Sequence, residues 1–361
     1  MCVLILAACG GGSGTGSSAI APPPLGFAYV SNMNSGKISA YSINATTGAL
    51  STETLTASLG VGLYSLTATP NGKFLYATNQ HSLDISVFGI DHATGALTAG
   101  TPVTVGSAGS TNMGVAVDPA GKFAYVLNRE GSTAGLIYVF SIDQTTGALT
   151  ATGSPLAPTG QWPTSIKLSP NGKFAFVANH QGNDISPYTV DQTTGALTPG
   201  TRLGVGTVVG PVSVAVHPSN KFIYVANSGS NDVSIFSVDQ TTGALTAGMT
   251  GNAGNFPVSI AVDPTGKFAY VANQNSKNVT VFTINQTNGA LTQTSSVAAG
   301  PTPTAVAVDP SGKFAYVTTT GANPNPDSVL VYTIDQTTGA LTQVSSALAD
   351  ILAVSIAIVG Q

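Results

Sequence analysis

The sequence predicts an all-β fold, a seven-bladed β-propeller with four antiparallel strands per blade, on three observations. First, the octapeptide DQTTGALT at 143–150 returns unchanged at 191–198, 239–246 and 335–342, with near-copies at 44–51, 91–98 and 285–292. Second, the glycines of the seven copies (48, 95, 147, 195, 243, 289 and 339) are spaced 46 to 52 residues apart, the period of a solenoid or propeller repeat. Third, each repeat divides into short β runs, and no stretch sustains a helical period.

One repeat, residues 259–294, supplies the elements in order. SIAV is a short apolar run. DPTGK follows as a tight turn, with Asp opening it, Pro second and Gly fourth, as a type I turn prefers. FAYVAN alternates aromatic and small side chains with period two. NVTVFTI is rich in β-branched residues and fits a pleated, half-buried surface. The octapeptide makes the next corner: its Asp or Asn can bond its own backbone, and its Gly can take positive φ. ALTQT then begins the fourth strand. Large Phe and Tyr on one blade would meet small Ala and Val on the next, and seven such sheets close around a central channel.

The chain ends complete the count. The first repeat opens at FAYVSN (27–32) without an inner strand, and AVSIAIVG (353–360) matches inner strands elsewhere but has no successor. The C-terminal strand is therefore expected to pair with the N-terminal blade and seal the ring.

Composition narrows the function. Charged residues are 7% of the chain, the formal net charge is −4 and only Arg129 and Arg202 carry guanidinium. No nucleic acid is expected as a partner, since that needs a clustered basic face. Both cysteines fall in the first nine residues, and Leu6-Ala7-Ala8-Cys9-Gly10 resembles a bacterial lipobox. The expected organisation is a signal over 1–9 with lipidated Cys9, a Gly/Ser/Pro linker over 10–24 and the propeller over 25–361. A truncated ordinary signal or a misread start is the alternative, since no basic residue precedes the apolar run. The lipoprotein reading puts the protein at the outer membrane and periplasm or the cell surface, joined to the membrane through Cys9 only, as a monomer.

With FAYVAN and FAYVTT after P-x-G-K, FIYVAN at the same place in a further repeat, and TGALT after each third strand, the chain resembles the lactonase-type propeller family with YVTN repeats. The resemblance covers about 25–361. It implies the seven-bladed fold, and an activity among 6-phosphogluconolactonases, a muconate-type cycloisomerase and surface proteins without assigned role. Family enzymes carry histidines in a G-P-H-x-H-like context, and the nearest stretch here is Gly210-Pro211-Val212-Ser213-Val214. Valines stand where histidines would, so the resemblance assigns no catalytic residue. His217 replaces the Asp of a turn, and His92 lies in a corner.

Strand order sends the P-x-G-K-type turns and the octapeptide corners to one face. Lys73, Lys122, Lys173, Lys221, Lys267 and Lys313 lie there with Asp91, Asp143, Asp191, Asp239 and Asp335, either as a charged docking ring or as turn chemistry with exposed ion pairs. The opposite face carries the loops that vary, where binding usually resides. The candidate binding face is Arg129, Glu130, Trp162, Lys167, His180, Asp184 and Phe256. Lys167 takes an inner-strand place held by Ala215, Ala261 and Ala307 in other repeats, and Trp162 and Phe256 each precede the proline entering an inner strand. Aromatic faces with a few polar groups suit a sugar or planar ring. The competing reading is a snorkelling lysine above aromatics packed under loops. Asn32, Asn79, Asn128, Asn179, Asn227 and Asn273 end second strands, as turn caps or as a binding ring.

No metal-ligand spacing, cofactor motif or G-x-S-x-G elbow is present, so no metal and no cofactor are expected. A phosphorylated substrate would call on Arg129, the one guanidinium near the mouth. Two functions follow: a surface propeller that binds a small molecule (a sugar or lactone) or a protein at its variable face without catalysis, or a 6-phosphogluconolactonase-like hydrolase using Lys167, Arg129, Glu130 and His180.

Overall fold

A computed structural model describes residues 25–57, 60–130, 134–153, 157–205, 210–321 and 326–360. The signal, Cys9 and the linker lie outside the described residues, as do 131–133 and 322–325 of two variable loops. Seven antiparallel sheets follow in chain order and form a ring. Their innermost strands are Ala353–Gly360 in blade 1, then Leu63–Ala68, Ser110–Val117, Pro163–Leu168, Pro211–Val216, Pro257–Val262 and Thr302–Val308 in blades 2 to 7. In blades 2, 3 and 4 the outermost edge is split into two short segments on the same third strand. Gly-Thr-Pro at 100–102 and Pro-Gly at 199–200 stand at two of these breaks, where the chain loses ladder donors and side-chain packing.

Blade 1 is closed by the chain's own ends. Gly26–Asn32 pairs antiparallel with Ala353–Gly360, from Gly26↔Gly360 through Val30↔Ile356. A Cβ on Gly26 would sit 1.9 Å from the Val359 carbonyl oxygen, so only glycine fits at this seam. Further out, the Tyr41 hydroxyl donates to the Leu348 carbonyl, 307 residues away in sequence.

The turns form as their residues dictate. In DPTGK, the Phe268 N–H donates to Asp263 Oδ1 at 2.7 Å and Thr265 N–H to Oδ2 at 3.0 Å. His217 fills the same place in blade 5, buried, with its ring nitrogens on Ser219 Oγ and the Gly266 carbonyl. In the octapeptide, Asp143 Oδ1 accepts from the Thr145 and Thr146 N–H groups at 2.9 and 2.7 Å.

The octapeptide does more than turn the chain. In every blade its glycine lies against the Phe that opens the second strand of the preceding blade: Gly95 on Phe27, Gly147 on Phe74, Gly195 on Phe123, Gly243 on Phe174, Gly289 on Phe222, Gly339 on Phe268 and Gly48 on Phe314. Each has φ between +70° and +74°, and an added Cβ would come within 2.6 Å of the ring. Five of these glycine carbonyls also accept the hydroxyl of the Tyr two residues beyond that Phe, at 2.9 to 3.1 Å. The corner is therefore a latch between blades. The apolar side chains accordingly gather into seven clusters, each drawn from two adjacent sheets.

Candidate functional site

The inner strands all slip register by one residue near their entry from the variable face. Such bulges redirect side chains and recur beside active sites. Here the slip places Tyr64, Met113, Thr164, Val212, Val258, Thr304 and Val354 around a channel cavity of about 380 Å³. The rim is uneven: aromatic, thioether and hydroxyl groups on blades 2 to 4, and valines on blades 5, 6 and 1.

Just before the bulge, Trp162, Phe256 and Leu352 have φ of 54°, 58° and 60°, a left-handed conformation that bulky L-residues rarely adopt. Gly62 and Gly210 hold the corresponding place in blades 2 and 5. In these five blades the carbonyl at this position accepts the N–H of the residue that follows the second strand's Asn, for example His180 N–H to Trp162 at 2.8 Å. The backbone geometry is thus set by the ladder, and Trp162 and Phe256 are held half-exposed where glycine would be the unstrained choice.

Three of the expected residues come together. The Arg129 guanidinium lies 4.7 Å from the Trp162 ring centre, a cation–π contact, and the His180 ring centre is 6.0 Å from that of Trp162, tilted by 44°. With Met113, Pro163 and Thr164 they enclose a cavity of about 200 Å³, and Met113 and Thr164 also line the channel. Arg129 makes no ion pair or hydrogen bond among the described residues. Burial pushes the His180 imidazole below its ordinary value, which keeps the ring neutral near pH 7 and able to accept a proton. Burial raises the Tyr64 phenol on blade 2, with the Arg129 charge opposing the shift.

The other expected residues stand apart. Glu130 follows Arg129 on the strand and so points to the other face of the sheet, where Tyr138 Oη reaches Oε1 at 3.5 Å. Asp184 is bound into its loop by Asn179 Nδ2 at 2.6 Å and by Arg202 at 3.5 Å, and desolvation raises its carboxyl. Phe256 belongs to blade 6, its N–H on Asn231 Oδ1 at 2.7 Å, and does not line the Trp162 cavity. Lys167 lies five residues along its strand from Trp162, roughly 16 Å at strand rise, inside the channel and not at its mouth. The hydrolase grouping of Lys167, Arg129, Glu130 and His180 is therefore reduced to Arg129 and His180.

The asparagines closing second strands are buried. Asn79, Asn179 and Asn227 donate to an Asp and a Ser of the third strand at 2.6 to 2.9 Å, and Asn273 likewise to Asn278 and Thr280. These are loop caps. On the opposite face the turn lysines form no ion pair among the described residues. The corner aspartates instead hold their carboxyls low by accepting N–H bonds from the following threonines. Among the described residues no three His, Cys, Asp or Glu side chains gather as a metal site.

Sequence reasoning missed the bulge residues Tyr64, Met113 and Thr164. It also missed a ring of channel serines, Ser65, Ser165, Ser213, Ser259 and Ser355. The serine ring was readable as a Ser just before the aliphatic residue in five of the seven inner strands.

Comparison with known proteins fits this geometry. A family model described as Lactonase, 7-bladed beta-propeller, matches residues 5–113, 105–210 and 203–308. A curated 6-phosphogluconolactonase of Formosa agariphila is 40% identical over 70 residues, 19% of each chain; the match thus spans about a fifth of that relative's length. Among solved structures, a candidate 6-phosphogluconolactonase of Bacteroides fragilis superposes with a TM-score of 0.79 at 23% identity, covering 95% of this chain and 100% of its own. The periplasmic gluconolactonase of Pseudomonas aeruginosa gives 0.77 at 17% identity, covering 93% and 99%. Hydrazine synthase of Kuenenia stuttgartiensis gives 0.59 at 19% identity, covering 94% and 100%. At these identities the likeness concerns the fold, which hosts unrelated chemistries.

Proposed function

The chain belongs to the seven-bladed lactonase propeller family, and from that premise we propose that it binds a sugar-derived lactone, or the acid to which it opens, at the Arg129–Trp162–His180 cavity. The observation that carries this reading is Trp162, held at positive φ with the Arg129 guanidinium over its face, free of an ion pair among the described residues. A pyranose-like ring stacks on the indole. A ring oxygen or carboxylate takes N–H bonds from Arg129, for which charge-assisted pairs are strong.

Trp162 is the sole tryptophan of the chain, so its fluorescence reports this cavity alone. Titration with glucono-δ-lactone, gluconate and 6-phosphogluconate is expected to shift or quench the emission saturably, and Arg129→Ala to abolish the response. An emission unchanged by the whole panel at millimolar concentration would end the proposal.

Hydrolysis is a second reading, favoured by the family and by the neutral His180. There His180 accepts a proton as water adds to the lactone carbonyl, and Arg129 faces the oxyanion. The ring C–O bond then breaks and its alkoxide takes the proton back, giving the hydroxy acid. Lactone opening followed by pH-stat, no faster with wild type than with His180→Ala, leaves binding without catalysis.

The lipobox-like stretch supports attachment of the chain through Cys9 to a bacterial membrane, with the propeller outside the cytoplasm. Metabolic labelling with a radioactive fatty acid, lost in Cys9→Ser, is the expected result; equal labelling of both proteins refutes it.

A further inference from the structure

We propose that Lys167 and the channel serines form a binding site for a small anion, a halide or a carboxylate, at the waist of the propeller channel. Lys167 lines both the mouth-side cavity of about 380 Å³ and a second cavity of about 390 Å³ toward the opposite face. It therefore stands where the two meet. In the ladder it pairs with Phe176, and the equivalent residues of the other blades are Thr67, Ala116, Ala215, Ala261, Ala307 and Ala357. Among the described residues one blade alone places a charge in the channel lining, and no carboxylate lines either cavity.

The serines sharpen the donor surplus. Ser165 Oγ accepts the Val214 N–H, Ser213 Oγ that of Ile260, Ser259 Oγ that of Val306 and Ser355 Oγ that of Leu66, at 3.1 to 3.4 Å. Each hydroxyl oxygen thus spends one of its two acceptor sites on the next blade and keeps its own O–H. None of these four hydroxyls donates to an acceptor among the described residues, and neither does the Lys167 ammonium. A cavity bounded by one cation and several free O–H groups, with no anion of its own, is complementary to a small anion. Lys167 stays solvent-accessible inside the channel, open to a small ion.

Crystals of the full chain soaked in sodium bromide are expected to show anomalous density in contact with Lys167 Nζ. In solution, thermal melts in sodium bromide and in sodium acetate are compared between wild type and Lys167→Ala. That variant repeats the alanine which five other blades carry at this position, so it retains the fold. Near saturation the wild type should gain on the order of 3 °C or more over the variant. A Lys167-dependent gain in bromide alone identifies a halide site, and in acetate alone a carboxylate site. Superimposable responses of the two proteins in both salts overturn the proposal, and soaked crystals without density at Lys167 overturn its halide form.

Discussion

Replacing Tyr224 by Phe tests the latch between blades. Tyr224 is fully buried and its hydroxyl donates to the buried Gly289 carbonyl at 3.0 Å. Deleting the hydroxyl leaves that carbonyl without its partner, which costs about 1–3 kcal/mol. Tyr125 is the internal control. It occupies the same position in blade 3, is equally buried, and its hydroxyl has no partner among the described residues. Tyr125→Phe removes an unsatisfied polar group and should be neutral or stabilising by about 1 kcal/mol. Blade 4 already carries Phe176 at this position. Urea unfolding followed by circular dichroism reads both. With a slope of about 3 kcal/mol/M, Tyr224→Phe should lower the midpoint by on the order of half a molar, and Tyr125→Phe should leave it unchanged or raise it. Equal losses for the two variants would show that packing of the hydroxyl, and not the cross-blade hydrogen bond, accounts for the pattern.

Gly26→Ala should weaken ring closure, since its Cβ meets the Val359 carbonyl oxygen at 1.9 Å; deletion of 352–361 should give an aggregating chain by size-exclusion chromatography, and a monomer with unchanged melting refutes the closure. Five corner aspartates have depressed carboxyl pKa values in the folded state. Their stabilisation is present above the unfolded value near 3.9 and is lost as pH falls through the folded values. Asn44 and Asn285 accept the same N–H bonds without titrating, so changing all five to Asn should flatten the acid limb of a Tm–pH curve. Trp162→Gly relieves the positive φ, about 1–2 kcal/mol, against a glycine entropy cost of about 0.5–1 kcal/mol. Its stability should stay within about 1 kcal/mol of wild type while ligand binding, followed by calorimetry, disappears. Gly210→Ala puts a methyl 2.9 Å from His180 Nε2 and should impair the same binding by moving the ring.

The blade count, the strand order and the sealing strand were legible because turn chemistry and period-two patterning repeat seven times, so one local reading is checked by six others. The latch was not, because it joins residues of successive repeats, as Gly289 to Phe222 and Tyr224, and nothing local marks which blade a corner touches. Arg129, Trp162 and His180 stood out as departures from the repeat, and their meeting depends on blades 3 and 4 being neighbours. Lys167 stood out in the same way, yet only its register against Phe176 fixes its depth. Asp184 looked exceptional only beside variable loop residues; its counterparts Asp84 and Asp232 make the same bond to the preceding Asn. Tyr64 and Met113 were hidden by a bulge, which shifts the side-chain alternation from which facing is read.

The Tyr41–Leu348 and Gly26–Gly360 contacts also bear on biosynthesis. At roughly 5–20 residues per second, the ribosome needs on the order of twenty seconds to a minute after making the first strand before its mate exists. Throughout that interval blade 1 presents a bare, uncharged, aromatic-rich edge of the kind that nucleates intermolecular pairing. The ring can therefore seal only after the last strand has left the ribosome, and blade 1 is the place at which an unfinished chain would join a neighbour.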